Sequence, residues 1–151
     1  MHSDLELLEG IPNLESDQTD PYWDLAWHGR VASYGDPDSQ FFVANVYEQG
    51  KLVPFNRDKA IEFYQKAARQ GHLESCHKLA QLLPSESEKW YLAAARLNDP
   101  QAQLKLAQLY RSQGDIPNAV LWMEKAFHLL FPNVSDLTTV SPDLKQLKEM
   151  L

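Results

Sequence analysis

The hydrophobic and polar residues of this chain follow one pattern that occurs three times. Each occurrence places small or apolar residues at positions i, i+4, i+5 and i+8, shortly after a turn-forming phrase. The three sets are Ser39/Val43/Ala44/Tyr47, Ser75/Leu79/Ala80/Leu83 and Ala102/Leu106/Ala107/Tyr110. This spacing follows the helical period of about 3.6 residues and brings the four positions to one side of a helix. The pattern therefore predicts three helices that each bury one face.

A second apolar set follows each of the first sets and predicts a partner helix. These sets are Ala60/Phe63/Tyr64/Ala67/Ala68, Trp90/Tyr91/Ala93/Ala94/Ala95 and Ala119/Trp122/Met123/Ala126/Phe127. Internal repetition of this kind indicates a repeat architecture, in which every repeat is a helix pair. The small residues Ala44, Ala80 and Ala107 allow the two helices of each pair to approach closely.

Glycine, asparagine and proline mark the ends of the predicted helices. Gly35, Gly71 and Asn98 stand where a helix ends in a left-handed residue, and Pro37 and Pro100 stand near first-turn positions. The predicted helices are 22–34, 38–49, 57–70, 72–83, 86–97, 100–113 and 116–130. A further helix is expected after Ser141-Pro142, with Leu144, Leu147, Met150 and Leu151 on one side.

The first repeat resembles a known family. Its residues are Ala44, Tyr47, Gly50-Lys51-Leu52-Val53-Pro54, Asp58-Lys59-Ala60, Phe63-Tyr64, Lys66-Ala67-Ala68 and Gly71. This run is similar to the signature of the Sel-one-like repeat (SLR) family, a relative of the tetratricopeptide repeats. The resemblance covers roughly residues 22 to 130. It implies an all-α fold, a short right-handed superhelix (solenoid) of about three helix pairs with terminal capping helices. It also implies protein–protein contact rather than catalysis.

Charge divides the chain into three predicted segments. The net charge is −7, and six acidic residues lie in the first twenty positions, where there is no Lys or Arg. Residues 1–20 are therefore expected to form a disordered acidic tail, with a short binding segment around Leu5 to Ile11 as the alternative. Residues 21–131 form the helical repeat domain, and 132–151 form a linker and a C-terminal capping helix. The repeat domain is nearly neutral and has no basic stripe, which argues against nucleic-acid binding.

Other composition features bear on location. One cysteine excludes an intramolecular disulfide, and no apolar run approaches the ~18 residues of a membrane span. The N-terminus lacks the positive start and apolar block of a signal peptide, so we expect a cytoplasmic protein without membrane insertion. We also expect the protein to be bacterial. A periplasmic or secreted protein from which the signal had been removed would have the same sequence features. The oligomeric state is left open.

No motif for catalysis, a cofactor or a metal is found in the sequence. His72 and Cys76 at i, i+4 could offer two ligands to zinc, but two ligands do not make a site. By repeat equivalence Cys76 matches Gln40 and Gln103, which predicts a surface position for the thiol. We therefore predict no catalytic residue, no cofactor and no metal.

The candidate function is binding of a peptide or helix by a non-catalytic adaptor or scaffold. In tetratricopeptide-like stacks the first helix of each pair lines the concave groove, so its unpacked positions would face a partner. These positions are Asp38, Phe41, Asn45, Glu48, Glu74, His77, Gln81, Gln101, Leu104, Gln108 and Arg111.

In the predicted groove, two sets of repeat-equivalent positions each carry similar side chains. Asn45, Gln81 and Gln108 form an amide register that could pair with a peptide backbone, and Phe41, His77 and Leu104 form a more apolar one. The alternative is that these amides are ordinary solvated helix residues. A dedicated inhibitor or immunity protein and a structural subunit of a larger assembly are the alternative functions. The sequence does not identify the partner.

Overall fold

The computed structural model describes residues 21–151, and within this range all regular structure is helical. The predicted disorder of the acidic segment 1–20 lies outside the described residues. The helices are α1 (Pro21–Ser33), α2 (Pro37–Gln49), α3 (Arg57–Arg69), α4 (Leu73–Leu82), α5 (Ser87–Arg96), α6 (Pro100–Ser112), α7 (Ile116–Leu130) and α8 (Pro142–Glu149). Two short 3-10 helices, Pro84–Glu86 and Leu137–Thr139, precede α5 and α8.

The helices lie where the apolar pattern predicts them. Each of the seven repeat helices begins and ends within one residue of its predicted bounds. Gly35, Gly71 and Asn98 have φ values of 98°, 87° and 61°, so all three are left-handed as expected. Pro37 and Pro100 are the first residues of α2 and α6, where a missing backbone N–H costs nothing.

Aspartate side chains fix the starts of several helices. Asp36, Asp99 and Asp115 each accept a hydrogen bond from the backbone N–H three residues later. The backbone N–H and the hydroxyl of Ser39 hydrogen-bond to Asp36 and lower the pKa of its carboxyl group. These caps satisfy helix N–H groups that have no partner inside the helix.

The chain divides into two compact units between Leu82 and Leu83, and each is described by itself. In the first unit α1 packs on α2, α2 on α3, and α3 on α4. Leu25, Val43, Tyr64 and Leu79 are among its fully buried side chains, one from each helix. All four consecutive helices thus contribute to the core of the first unit.

In the second unit α5 packs on α6, α6 on α7, and α7 on α8. Its core cluster is formed by Ala107, Ala119, Val120, Met123, Leu137, Leu144 and Leu147. Leu144 and Leu147 of α8 are completely buried, whereas Met150 and Leu151 are exposed because α8 ends at Glu149. The C-terminal helix is therefore part of the core of the second unit.

Gly50 and Gly114 provide a matched test of a close turn. Gly50 ends α2 with φ +66°, and a Cβ there would lie 2.9 Å from Phe55 Cβ and 3.1 Å from the Phe55 backbone nitrogen. Gly114 has φ +80°, but a Cβ there would meet nothing within 4 Å. We expect Gly114→Ala to lower the free energy of unfolding by about 1–2 kcal/mol, because alanine is strained in the left-handed backbone conformation. Gly50→Ala should lower the free energy of unfolding by at least about 1 kcal/mol more than Gly114→Ala, because the new Cβ would also clash with Phe55.

Urea denaturation of both variants measures this difference. Equal losses of stability in the two variants would show that the Gly50 turn can open away from Phe55 without cost.

Candidate functional site

The predicted contact residues of the first unit lie on α2 and α4. We call Phe41, Asn45, Glu48, Glu74, His77 and Gln81 the first-helix face. Glu74 and Gln81 are exposed and the other four are half-buried. The packing residues of the same helices, such as Val43 and Leu79, are completely buried. The first-helix face thus includes both solvated side chains and side chains held by neighbours.

Tyr64 of α3 anchors the polar part of this face. Its ring is fully buried, and its hydroxyl oxygen lies 2.7 Å from Asn45 Oδ1 and within hydrogen-bonding distance of Glu48 Oε2. Lys78 Nζ of α4 lies 3.3 Å from the same Glu48 oxygen. Burial, followed by the hydrogen bond and negative charge of Glu48, raises the pKa of Tyr64 well above its usual range. The hydroxyl is therefore protonated and a hydrogen-bond donor at neutral pH. These contacts, here called the Tyr64 network, join α2, α3 and α4.

Phe41 is held between two other rings. The centroid of its ring is 5.6 Å from that of Tyr64 and 4.8 Å from that of His72. The imidazole of His72 is itself fixed, because Nε2 lies 3.2 Å from an Asp38 carboxylate oxygen and Nδ1 lies 2.9 Å from Ser75 Oγ. Phe41 therefore has a defined position at the edge of the core rather than a freely rotating one.

The predicted contact residues of the second unit lie on α6 and differ in their surroundings. Gln101, Gln108 and Arg111 are exposed, and Arg111 Nη1 lies 3.9 Å from Asp143 of α8. Leu104 is half-buried and packs against the core cluster of the second unit. Less of the Leu104 side chain is consequently available to a partner than its sequence position suggested.

The amide register also differs from the simple prediction. The carbonyl oxygen of Asn45 already faces the Tyr64 hydroxyl, whereas Gln81 and Gln108 are exposed, each in its own unit. Sequence reasoning had no signal for this, because Tyr64 lies nineteen positions after Asn45.

The prediction of a surface position for Cys76, Gln40 and Gln103 is wrong. Their relative exposures are 0%, 5% and 2%. Each side chain reaches the backbone carbonyl eight residues earlier, at the end of the preceding helix. Gln40 Nε2 donates to Ala32 O, Cys76 Sγ to Ala68 O, and Gln103 Nε2 to Ala95 O.

The reason for this burial is the hydrogen bonding of helix ends. Carbonyls in a last helical turn have no intrahelical partner, and a buried one needs a donor. The three carbonyls each accept the N–H of the left-handed residue, Gly35, Gly71 or Asn98, and the buried side chain supplies a second donor. The sequence did carry a signal for this burial, because Gln40, Cys76 and Gln103 each stand at the same distance after a left-handed residue.

The suggested pair of zinc ligands is otherwise engaged. Both ring nitrogens of His72 have partners, and the Cys76 thiol is buried against a carbonyl. In residues 21–151 no group of three or more His, Cys, Asp or Glu side chains is placed to hold a metal ion. None of the helices in this range is long and apolar enough to cross a membrane.

Comparison with known proteins identifies the family. The Sel1 repeat model matches residues 37–72, 84–99 and 100–129, which is more than half of the chain. The chain belongs to the Sel1 repeat family, and its expected fold class, an all-α solenoid of such repeats, is confirmed. The Sel1 repeat is a non-catalytic scaffold that generally mediates protein–protein interaction.

Individual relatives are consistent with this assignment. An uncharacterized protein of Neisseria meningitidis serogroup B is 30% identical over 85 residues, which cover 54% of this chain and 18% of that protein. The crystal structure of a Sel1 repeat protein from Oxalobacter formigenes has a TM-score of 0.61 and 26% identity, covering 69% of this chain and 49% of that one.

A protective antigen of uropathogenic Escherichia coli that displays an SLR fold has a TM-score of 0.59 and 27% identity. That match covers 82% of this chain and 28% of the antigen. The chain thus spans less than half the length of each of these three relatives.

Proposed function

We propose that this chain is a non-catalytic interaction module, an adaptor or scaffold that binds a peptide or helix of a partner protein through the first-helix face. The observation that carries the proposal is the fixed aromatic anchor Phe41, held between Tyr64 and His72 beside the Tyr64 network. Membership of a family that generally mediates protein–protein interaction supports it.

Fixed side chains favour binding because they lose little freedom when a partner arrives. Ordering a mobile side chain at an interface costs about 0.5–1.5 kcal/mol. Phe41 is restrained by its two ring neighbours, and Asn45 and Glu48 are restrained by Tyr64. A half-buried aromatic side chain surrounded by polar groups is also the usual composition of an interface hot spot.

The charges near the anchor indicate the chemistry of the partner. Asp38 and Glu74 are exposed, and Glu48 is shared between Tyr64 and Lys78. The face therefore has more acidic than basic groups. It suits a segment that carries an apolar side chain for Phe41, flanked by Lys or Arg residues. The exposed amide of Gln81 can pair with the backbone of that segment.

In the second unit, α6 offers a further set of contacts. The exposed Gln101, Gln108 and Arg111 provide hydrogen-bond donors, and the outer surface of Leu104 provides apolar area. We propose these four residues as a separate set of partner contacts on the second unit, and the anchor of the first unit is considered apart from them.

Affinity purification from the native cell, with mass spectrometry, tests this function. Three baits are compared: the wild-type chain, Phe41→Ala and Phe42→Ala. Phe42 is the matched control, because it neighbours Phe41 on α2 and its half-buried ring stacks on His28 at 4.1 Å between centroids. Loss of the anchor should weaken binding by about 1–2 kcal/mol, roughly 5- to 30-fold.

The expected result is a partner retained by the wild type and Phe42→Ala but depleted with Phe41→Ala. A partner retained equally by both variants would show that it does not bind through the first-helix face. Capture of a single toxin or enzyme that the chain inhibits would favour an inhibitor. Stoichiometric capture of several subunits would favour a structural role.

A further inference from the structure

The second unit contains a cavity of about 470 Å³ between α5, α6 and α7. This volume falls within the roughly 300–1,000 Å³ typical of ligand pockets. The lining residues that matter here are Arg96, Gln103, Trp122, Lys125, His128 and Leu129. The cavity is separate from the first-helix face, and nothing in the proposed function uses it.

Gln103 in this lining has an unsatisfied polar atom. The side chain is 2% exposed, and its Nε2 donates to Ala95 O at 3.1 Å. Its Oε1 has no hydrogen-bond partner among the described residues. Buried acceptors are nearly always paired in folded proteins, so this oxygen indicates a missing donor.

The first unit holds the same arrangement with the donor present. There Gln40 Nε2 bonds to Ala32 O, and Gln40 Oε1 accepts a hydrogen bond from Gln70 Nε2 at 2.9 Å. The second unit therefore has the same glutamine but lacks the second contact.

Aligning the repeats explains why Gln103 lacks the donor that Gln40 has. Helices α3 and α7 align with Ala60 at Ala119 and Lys66 at Lys125, which places Leu129 at the position of Gln70. Leucine cannot donate a hydrogen bond. The substitution leaves Gln103 Oε1 without a partner and places an apolar side chain in the cavity wall.

The cavity also has a marked charge. Arg96, Lys125 and His128 line it, and no acidic side chain does. Within residues 21–151 none of the three forms an ion pair with a carboxylate. Lys125 Nζ instead lies 4.5 Å from the centroid of the Trp122 ring. The lining thus combines positive charge, an indole face and an acceptor that needs a donor.

We propose that this cavity binds a short acidic peptide segment. A carboxylate of the segment pairs with Lys125 and Arg96, an apolar side chain packs on Trp122 and Leu129, and a backbone N–H donates to Gln103 Oε1. A peptide supplies the anion, the N–H donor and an apolar side chain together, whereas inorganic phosphate has no apolar group to pack on Trp122 and Leu129. Because Gln103 is 2% exposed, this binding mode requires its amide to shift toward the cavity when the donor binds.

Calorimetric titration of the full chain with the blocked tripeptide acetyl-Asp-Leu-Glu-amide tests the proposal. The indole N–H resonance of Trp122, assigned with Trp122→Phe, reports binding inside the cavity. The uncharged analogue acetyl-Asn-Leu-Gln-amide should bind about tenfold more weakly or not at all, because charge-assisted hydrogen bonds are lost. Inorganic phosphate is the probe for a simple anion site.

Three substitutions test the individual contacts. Lys125→Gln should weaken tripeptide binding about fivefold or more, whereas Lys66→Gln should leave it unchanged. Lys66 is the repeat equivalent, and its Nζ lies 4.8 Å from the centroid of the Phe63 ring in the first unit. Leu129→Gln should also weaken binding, because the new amide can donate to Gln103 as Gln70 donates to Gln40. Leu129 is 47% exposed, so this variant should fold normally.

The proposal is overturned if the tripeptide does not bind, or if Lys125→Gln and Leu129→Gln bind it like the wild type. The peptide assignment would also be overturned if phosphate bound as tightly as the tripeptide and Leu129→Gln changed neither affinity. Capture of a partner through Phe41 does not depend on Leu129, so the two proposals fail independently.

Discussion

Replacement of Tyr64 by alanine is expected to lower the free energy of unfolding by about 3–5 kcal/mol. The ring is completely buried in the first unit, and its removal leaves a cavity beside Phe41. The loss of the hydroxyl also leaves Asn45 without its internal donor and Glu48 with Lys78 alone. Urea denaturation of the full chain, followed by far-ultraviolet circular dichroism, measures the change.

Tyr64→Phe is the control that separates the contribution of the ring to stability from that of the hydroxyl group. It retains the packing and removes the hydrogen bonds, so we expect a smaller loss of about 1–2 kcal/mol. An unfolding free energy of Tyr64→Ala close to that of the wild type would mean that α3 does not pack on α2 as described. Equal losses in the two variants would assign all the stabilisation to the hydroxyl.

Replacement of Leu144 by alanine is expected to lower the free energy of unfolding by about 2–5 kcal/mol. Leu144 lies in α8, is completely buried, and belongs to the core cluster with Met123, Leu137 and Leu147. The same denaturation experiment measures the effect. Met150→Ala is the matched control from the end of the same segment. Its side chain is 60% exposed, and we expect a change within about 0.5 kcal/mol.

A small and equal effect of both substitutions would contradict the packing of α8. It would mean that the C-terminal helix lies free of α6 and α7 in solution.

Most of the fold could be predicted because the same local rules act in every repeat. The positions that define the helical period of α2, such as Val43 and Ala44, recur in α4 and α6 and are buried in each. Left-handed Gly35, Gly71 and Asn98 and the prolines after two of them fix the helix ends through local geometry. Periodicity and turn chemistry are properties of neighbouring residues, and a sequence displays them directly.

Burial of polar side chains could not be predicted from the same rules. Gln40, Cys76 and Gln103 are buried, and each meets a carbonyl on the preceding helix. The polarity of the two glutamines, applied to Cys76 by repeat equivalence, suggested the surface instead. Asn45 and Glu48 are held by Tyr64, which comes from another helix. Such contacts depend on how helices are placed against each other.

The cavity of the second unit was missed for a related reason. Arg96, Gln103 and Lys125 come from three helices, and no stretch of sequence brings them together. One signal was nevertheless present, since Leu129 occupies the repeat position of Gln70. The difference between Gln70 and Leu129 could be interpreted only from the structure, which shows that Gln70 donates a hydrogen bond to Gln40.

Hydrogen–deuterium exchange of the chain with and without its captured partner locates the binding surface without any substitution. We expect slowed exchange in peptides that cover residues 38–48 of α2 and 74–81 of α4. Slowed exchange confined to α7 or α8, with α2 and α4 unchanged, would contradict binding through the first-helix face.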